Sequence, residues 1–263
     1  MQSLTPPKQR AAKGLSSRQR LDDRVVAEGL APSRSRAAAL VLSGKVLVDG
    51  QRCDKAGTLV KATAAVTLKA PDHPWVSRGG LKLAHALEAF SLNPEGWVAA
   101  DIGASTGGFT HVLLHHCAQK VYAVDVGHGQ LDWTLRQDAR VQVLEKTNAR
   151  FLTSTHIPDV LDAVVCDASF IGLRTVLGAV LGLLRPGGVL VALIKPQFEA
   201  GRKDVGKGGV VRDETVHARV CHEIQAWLEG LDWTLLGLVA SPVLGPEGNR
   251  EFLIAARKPA PSD

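Results

Sequence analysis

From Trp97 onward the chain is punctuated by short runs that are apolar almost from end to end: 97–102 (WVAADI), 120–125 (KVYAVD), 141–144, 161–167 (LDAVVCD), 188–195 (GVLVALIK), 233–240 and 250–257. Short runs without polar alternation predict strands buried on both faces, the signature of a parallel sheet. Stretches of helical composition lie between most of them, notably 107–117, 172–184 and 212–229. Alternating strands and helices predict an open α/β sheet covered on both sides. The final two runs follow the last helix directly, which predicts an antiparallel hairpin at one sheet edge.

The pattern ahead of this domain differs. Residues 1–15 show no apolar periodicity and read as a flexible arm. Ser16 or Ser17 is placed to cap a helix reaching about Gly29, with Leu21, Val25 and Val26 turned inward. Ser33 is placed to cap a second helix that Gly44 ends. Residues 45–48 alternate as a strand, Asp49-Gly50 signals a tight hairpin, and weaker strands follow near 58–60 and 65–68. Residues 16–70 therefore predict a small α+β domain. Residues 71–77, with Pro71, Pro74 and the string HPWV, read as a stiff linker. The α/β domain spans 78–258 and opens with a helix carrying Leu81, Leu83, Leu87 and Phe90, and 259–263 is a tail.

Composition narrows the class. The 263 residues are 45% hydrophobic and 22% charged, as expected for packed domains. The richest apolar stretch, 179–194, is cut by Arg185-Pro186-Gly187-Gly188, so no membrane span is expected. The N-terminus has no apolar core of the secretory kind. Cys53, Cys117, Cys166 and Cys221 form no C-x-x-C pair, which suits reduced thiols in a cytoplasm and offers no metal site. Residues 1–75 hold 13 Lys/Arg against 6 Asp/Glu, whereas the remainder holds 18 against 20. Lys8, Arg10 and Lys13 read as a solvated tail. The folded part of the basic front points to a polyanion, with Arg18, Arg20, Arg34, Arg36, Lys45 and Arg52 as candidate contacts.

Candidate chemistry begins at 100–110, ADIGASTGGFT. A strand running into Asp101 and Gly103, then small residues, then Gly107-Gly108 opening a helix, is the layout of a nucleoside cradle. Asp125, ending the next strand, is placed for ribose hydroxyls. The dehydrogenase fingerprint G-x-G-x-x-G is absent, since after Gly103 the glycines fall at 107 and 108. Asp167 and Lys195 end later strands, Glu251 starts the last one, and Lys82 lies on the first helix of the domain. Each has an ordinary reading as well: a helix cap, a snorkelling lysine, a sheet-edge charge and a solvated lysine, respectively.

Taken together, this ordered Lys–Asp–Lys–Glu set resembles the tetrad of the FtsJ-type ribose 2′-O-methyltransferases. The front helices and β unit resemble the S4 RNA-binding domain. With the strings SRGGLKL, DIGASTGGFT, CDASFI, LIKPQFE and GNREFL, residues 18–258 resemble the TlyA (hemolysin A) family of rRNA 2′-O-methyltransferases. That resemblance implies a Rossmann-like class I methyltransferase fold behind a small α+β S4-like domain. It also implies S-adenosyl-L-methionine as cofactor and cytidine of 16S or 23S rRNA, within ribosomal subunits, as substrate. Lys82, Asp167, Lys195 and Glu251 carry over as the catalytic set. Gly103, Ala104, Ser105, Thr106, Gly107, Gly108 and Phe109, flanked by Asp101 and Asp167, carry over as the cofactor's surroundings, with Asp125 at the ribose and Asn148 near the adenine. His73 stands where the family linker has Arg.

The implied chemistry suits these residues. A ribose hydroxyl must lose its proton as it attacks the methyl group. A lysine serves as base only where burial or a nearby cation disfavours its ammonium. Lys195 is the candidate, with Lys82 expected beside it. Three rivals remain: a pore-forming or contact-dependent hemolysin, a non-catalytic RNA-binding assembly factor, and a base methyltransferase. The last is disfavoured because Ala168-Ser169-Phe170 is not the N/D-P-P-Y/F type. Segment 199–213 reads either as a lid or as a surface loop. Trp75 is a candidate for RNA or interdomain contact. The sequence specifies no oligomeric state.

Overall fold

Arg18–Arg20, expected inside a first helix, is instead a strand, β1, paired antiparallel with β4 (Leu59–Lys61). The computed structural model describes residues 18–69 and 73–260, so Ser16 and Ser17, the N-terminal arm, Pro71 and the end of the tail lie outside the described residues. The chain divides into two compact units, one ending at Asp72 and the other beginning at His73.

In the first unit, the helix α1 starts only at Leu21 and runs to Ala27. The reason is local. The Leu21 N–H donates to the Thr58 carbonyl, and the Arg20 guanidinium clasps Asp22 through two hydrogen bonds of 3.0 and 2.8 Å, so the chain up to Arg20 stays extended. Helix α2 (Arg34–Leu42) begins as predicted, with Ser33 Oγ accepting from the Arg36 N–H. Strands β2 (Val46–Val48), β3 (Gln51–Cys53) and β5 (Val66–Leu68) make a small antiparallel sheet in the order β3-β2-β5. Leu21, Val25, Val41, Val46 and Val60 form its core.

The second unit holds a seven-stranded sheet. Its strands are β6 (Val98–Ile102), β7 (Lys120–Val124), β8 (Val141–Leu144), β9 (Leu161–Cys166), β10 (Leu184–Ile194), β11 (Thr234–Ala240) and β12 (Phe252–Arg257). Their spatial order is β11-β12-β10-β9-β6-β7-β8. β12 runs antiparallel to both its neighbours, as predicted for the last pair, and the other pairings are parallel. The helices are α3 (Gly79–Ala89), α4 (Gly108–His115), α5 (Trp133–Arg136), α6 (Leu173–Leu177), α7 (Pro196–Glu199) and α8 (Glu214–Glu229). Strand order reverses at β6, whose neighbours are β7 and β9. A ligand crevice is expected outside the carboxyl ends of strands at such a switch point.

The pleat sorts each strand onto two cores. Val164, Cys166, Ala192, Ile194 and Ile254 join the cluster that includes α8. Ala99, Ala163, Val165, Val191, Leu193 and Leu253 join the one that includes Leu83, Ala86 and Leu87 of α3 and Val112 and Leu113 of α4. Side chains two apart share a face. By that parity Asp101, Asp167, Lys195 and Glu251 all fall on the side that α3 and α4 cover.

Candidate active site

Four of the residues singled out in the sequence converge. Lys82 lies in α3 on the same stripe as Leu83, Ala86 and Leu87, and is 8% exposed. Its Nζ donates to Glu251 Oε2 at 2.7 Å and to Asp167 Oδ2 at 3.4 Å. Lys195 Nζ stands 2.6 Å from Asp167 Oδ1 and donates to Ser169 Oγ at 2.8 Å and to the Asp167 carbonyl at 3.3 Å. Lys195 and Glu251 are buried, at 5% and 2% exposed, and Glu251 precedes β12 by one residue rather than opening it. Lys82 and Lys195 are linked through the Asp167 carboxylate, which faces both. Burying unpaired ammonium groups would cost several kcal/mol. Alternating lysines with carboxylates avoids that cost.

Beside this chain lies a cavity of about 290 Å³, lined by Lys82, Asp101, Gly103, Ala104, Thr106, Phe109, Asp167 and Lys195 among others, with Val243, Leu244 and Gly245 also on its wall. Asp101 is fully buried. Its Oδ2 accepts from Thr110 N–H (2.9 Å) and Oγ1 (2.7 Å), while Oδ1 has no partner. Burial pushes its carboxyl up to about 7. A second cavity, of about 730 Å³, is lined by Asp125, Thr147, Asn148 and Phe170, and shares Gly103, Ser105, Asp167 and Ser169 with the first. Asp125 accepts from Ser105 N–H through Oδ2 (2.8 Å) and from Gly127 N–H through Oδ1 (2.7 Å). Two backbone donors leave lone pairs on both oxygens for further hydroxyls.

Two glycines of the cradle are required by geometry. Gly103 has φ +81°, and a Cβ there would fall 2.9 Å from Ala168 Cα. Gly107, at φ +92°, precedes α4, and a Cβ there would fall 2.3 Å from Leu135 Cδ1. Gly108 opens α4, and it and Phe109 line the smaller cavity. Asn148 caps the turn 149–151, its Oδ1 accepting from Arg150 N–H at 3.1 Å, and also lines the larger cavity.

Other expectations change. Trp75 is buried, edge-on to His111 at 5.5 Å and to His115 at 5.2 Å, while the Val76 N–H donates to His111 Nδ1; the tryptophan is a core residue of the second unit. In the first unit Arg18, Arg20, Arg34, Arg36, Lys45 and Arg52 are all exposed, and Arg20 and Arg34 both pair with Asp22. Segment 199–213 is tethered: Asn249 donates to the Gly209 carbonyl and accepts from Val211 N–H, and Arg219 pairs with Asp204 at 2.6 Å. Ser169, Thr110 and residues 243–245 join the site, although the sequence does not mark them as candidates.

Comparison with known proteins bears on this geometry. A family model described as FtsJ-like methyltransferase matches residues 75–258, and one described as S4 domain matches 19–66. The 16S/23S rRNA (cytidine-2′-O)-methyltransferase TlyA of Mycobacterium tuberculosis is 47% identical over 244 residues, 92% of this chain and 91% of that protein. Hemolysin A of Brachyspira hyodysenteriae is 38% identical over 235 residues, 89% of this chain and 98% of that protein. A solved structure from Streptococcus thermophilus has a TM-score of 0.71 at 40% identity, covering 94% of this chain and 90% of that one.

Proposed function

Because the chain belongs to the FtsJ-like methyltransferase family and carries an S4 domain ahead of that domain, we propose that it methylates ribosomal RNA at a ribose 2′-hydroxyl, with cytidine as the target nucleoside. The observation that carries this reading is the Lys195–Asp167–Lys82–Glu251 chain at the mouth of a cradle sized for a nucleoside.

S-adenosyl-L-methionine supplies a methyl group on a sulfonium. The residues present fit it: Asp125 would hold the ribose hydroxyls, and the larger cavity beside Asn148 would take the adenine. The unpartnered Asp101 oxygen in the smaller cavity suits a cationic amino group. Lys195 takes the proton of the 2′-hydroxyl. Asp167 orients it and is itself fixed by Lys82, whose position Glu251 sets. Holding the hydroxyl in line with the methyl carbon supplies much of the rate, on the order of 7–11 kcal/mol for well-oriented pairs.

The S4 unit grips RNA through phosphate contacts made by Arg18, Arg36, Lys45 and Arg52, with Arg20 and Arg34 as charges held in place by Asp22. Ribosomal substrates put the protein in the cytoplasm. Among the described residues no helix is long and apolar enough to cross a membrane. With tritiated S-adenosylmethionine and ribosomal subunits, the wild type is expected to transfer label and Lys195→Ala to transfer none while still binding the cofactor. Full activity in Lys195→Ala would overturn the assignment.

A further inference from the structure

Lys195 Nζ donates to Ser169 Oγ at 2.8 Å and to the Asp167 carbonyl at 3.3 Å, and it ion-pairs with Asp167 Oδ1 at 2.6 Å without a hydrogen bond to that oxygen. These three are not equivalent. The carboxylate and the carbonyl belong to one residue that ends a central strand, and both only accept. The serine hydroxyl hangs on a single torsion, both accepts and donates, and sits on an exposed residue that lines both cavities. When Lys195 is a neutral amine, the Asp167 carbonyl can keep one N–H group while the other stays beside the carboxylate. The position that opens as a lone pair is then the one aimed at Ser169, where the tetrad cavity meets the cofactor cavity.

Building on the proposed ribose methylation, we infer that Ser169 is a positioning residue that aims the reactive position of Lys195 Nζ into the junction of the two cavities. In the neutral amine that receives the proton, the Ser169 hydroxyl donates to that lone pair. It rotates aside when the ribose hydroxyl arrives. The O2′–H bond then breaks as its proton forms the third Nζ–H bond. The O2′–CH3 bond forms as the sulfonium's S–CH3 bond breaks, and its electron pair stays on the sulfide sulfur. Ser169 Oγ afterwards accepts from the new N–H, and no proton is gained or lost by the serine. Phe170, next in the chain, packs its ring 5.1 Å from that of Phe198 on α7, which ties the Ser169 loop to the element that follows Lys195.

The test uses the full chain and ribosomal subunits. Ser169→Ala is expected to lower kcat about tenfold or more, with KM for subunits and Kd for S-adenosylmethionine each within twofold of wild type. Ser169→Thr, which keeps the hydroxyl, is expected to restore most of kcat. A merely structural role would move KM or Kd with kcat and would not be rescued by Thr. Wild-type kcat in Ser169→Ala, or a loss that Thr leaves unrepaired, overturns the assignment while leaving ribose methylation standing. A wild type that methylates no ribose overturns both.

Discussion

Replacing Asp101 with Asn removes an ionisable group that the fold buries completely. In the wild type its carboxyl is pushed from 3.8 to about 7, chiefly by burial, against the hydrogen bonds from Thr110 and with Asp167 and Asp125 adding repulsion. A carboxyl whose folded value is raised binds a proton that the unfolded chain has already released. Stability therefore falls as pH rises from the unfolded value toward the folded one, and levels off above it. Each pH unit in that window costs about 1.4 kcal/mol. Between pH 5 and pH 7 the wild type should lose roughly 2 kcal/mol relative to Asp101→Asn. The amide's own constant cost, an N–H pair placed where Oδ1 has no partner, cancels in that difference. Urea unfolding of both proteins at pH 5, 6, 7 and 8 measures it. The same substitution should weaken S-adenosylmethionine binding and abolish the proton release that accompanies binding of a cationic group near pH 6.5, which calorimetry in two buffers detects. A difference in stability that stays flat from pH 5 to pH 8 would refute the reasoning.

Three further outcomes follow from named interactions. Asp22 is held at about 2, first by its hydrogen bond from Arg20, so the stability it adds is present above pH 4 and lost as pH falls through 2; Asp22→Asn should cost the first unit about 1–2 kcal/mol at pH 7, read by thermal unfolding, and progressively less as pH falls through 2. Asn249→Ala strips the Val211 N–H of its buried acceptor, which should cost about 1–3 kcal/mol and speed hydrogen exchange across 206–211 more than elsewhere. Replacing Arg18, Lys45 and Arg52 together with Ala should weaken rRNA binding and flatten its dependence on salt, because fewer neutralised phosphates release fewer counterions; an unchanged slope would remove the S4 unit from the RNA interface.

Much of the site was legible in the chain because strand parity is. Asp101, Asp167, Lys195 and Glu251 sit at even spacings from apolar residues that share one core, so a correct strand assignment already puts them on one side of the sheet. Lys82 interrupts the apolar stripe 79–87 of its helix, which marks it as a buried charge. Tertiary packing decided the rest. Nothing in Arg18–Arg20 reveals that residues 58–61 will pair with it and delay the first helix. Trp75 looks like linker until His111 and His115, on a helix more than thirty residues away, close over it. The Asp167 bridge between the two lysines depends on side-chain reach across three elements, and no spacing encodes that.

Mass-spectrometric analysis of nucleosides from ribosomal RNA, incubated as subunits with S-adenosylmethionine and either the wild type or Lys195→Ala, tests the central claim most directly. The account predicts 2′-O-methylcytidine with the wild type and none with the variant. A methyl group on a base, or equal 2′-O-methylation by both proteins, would contradict it.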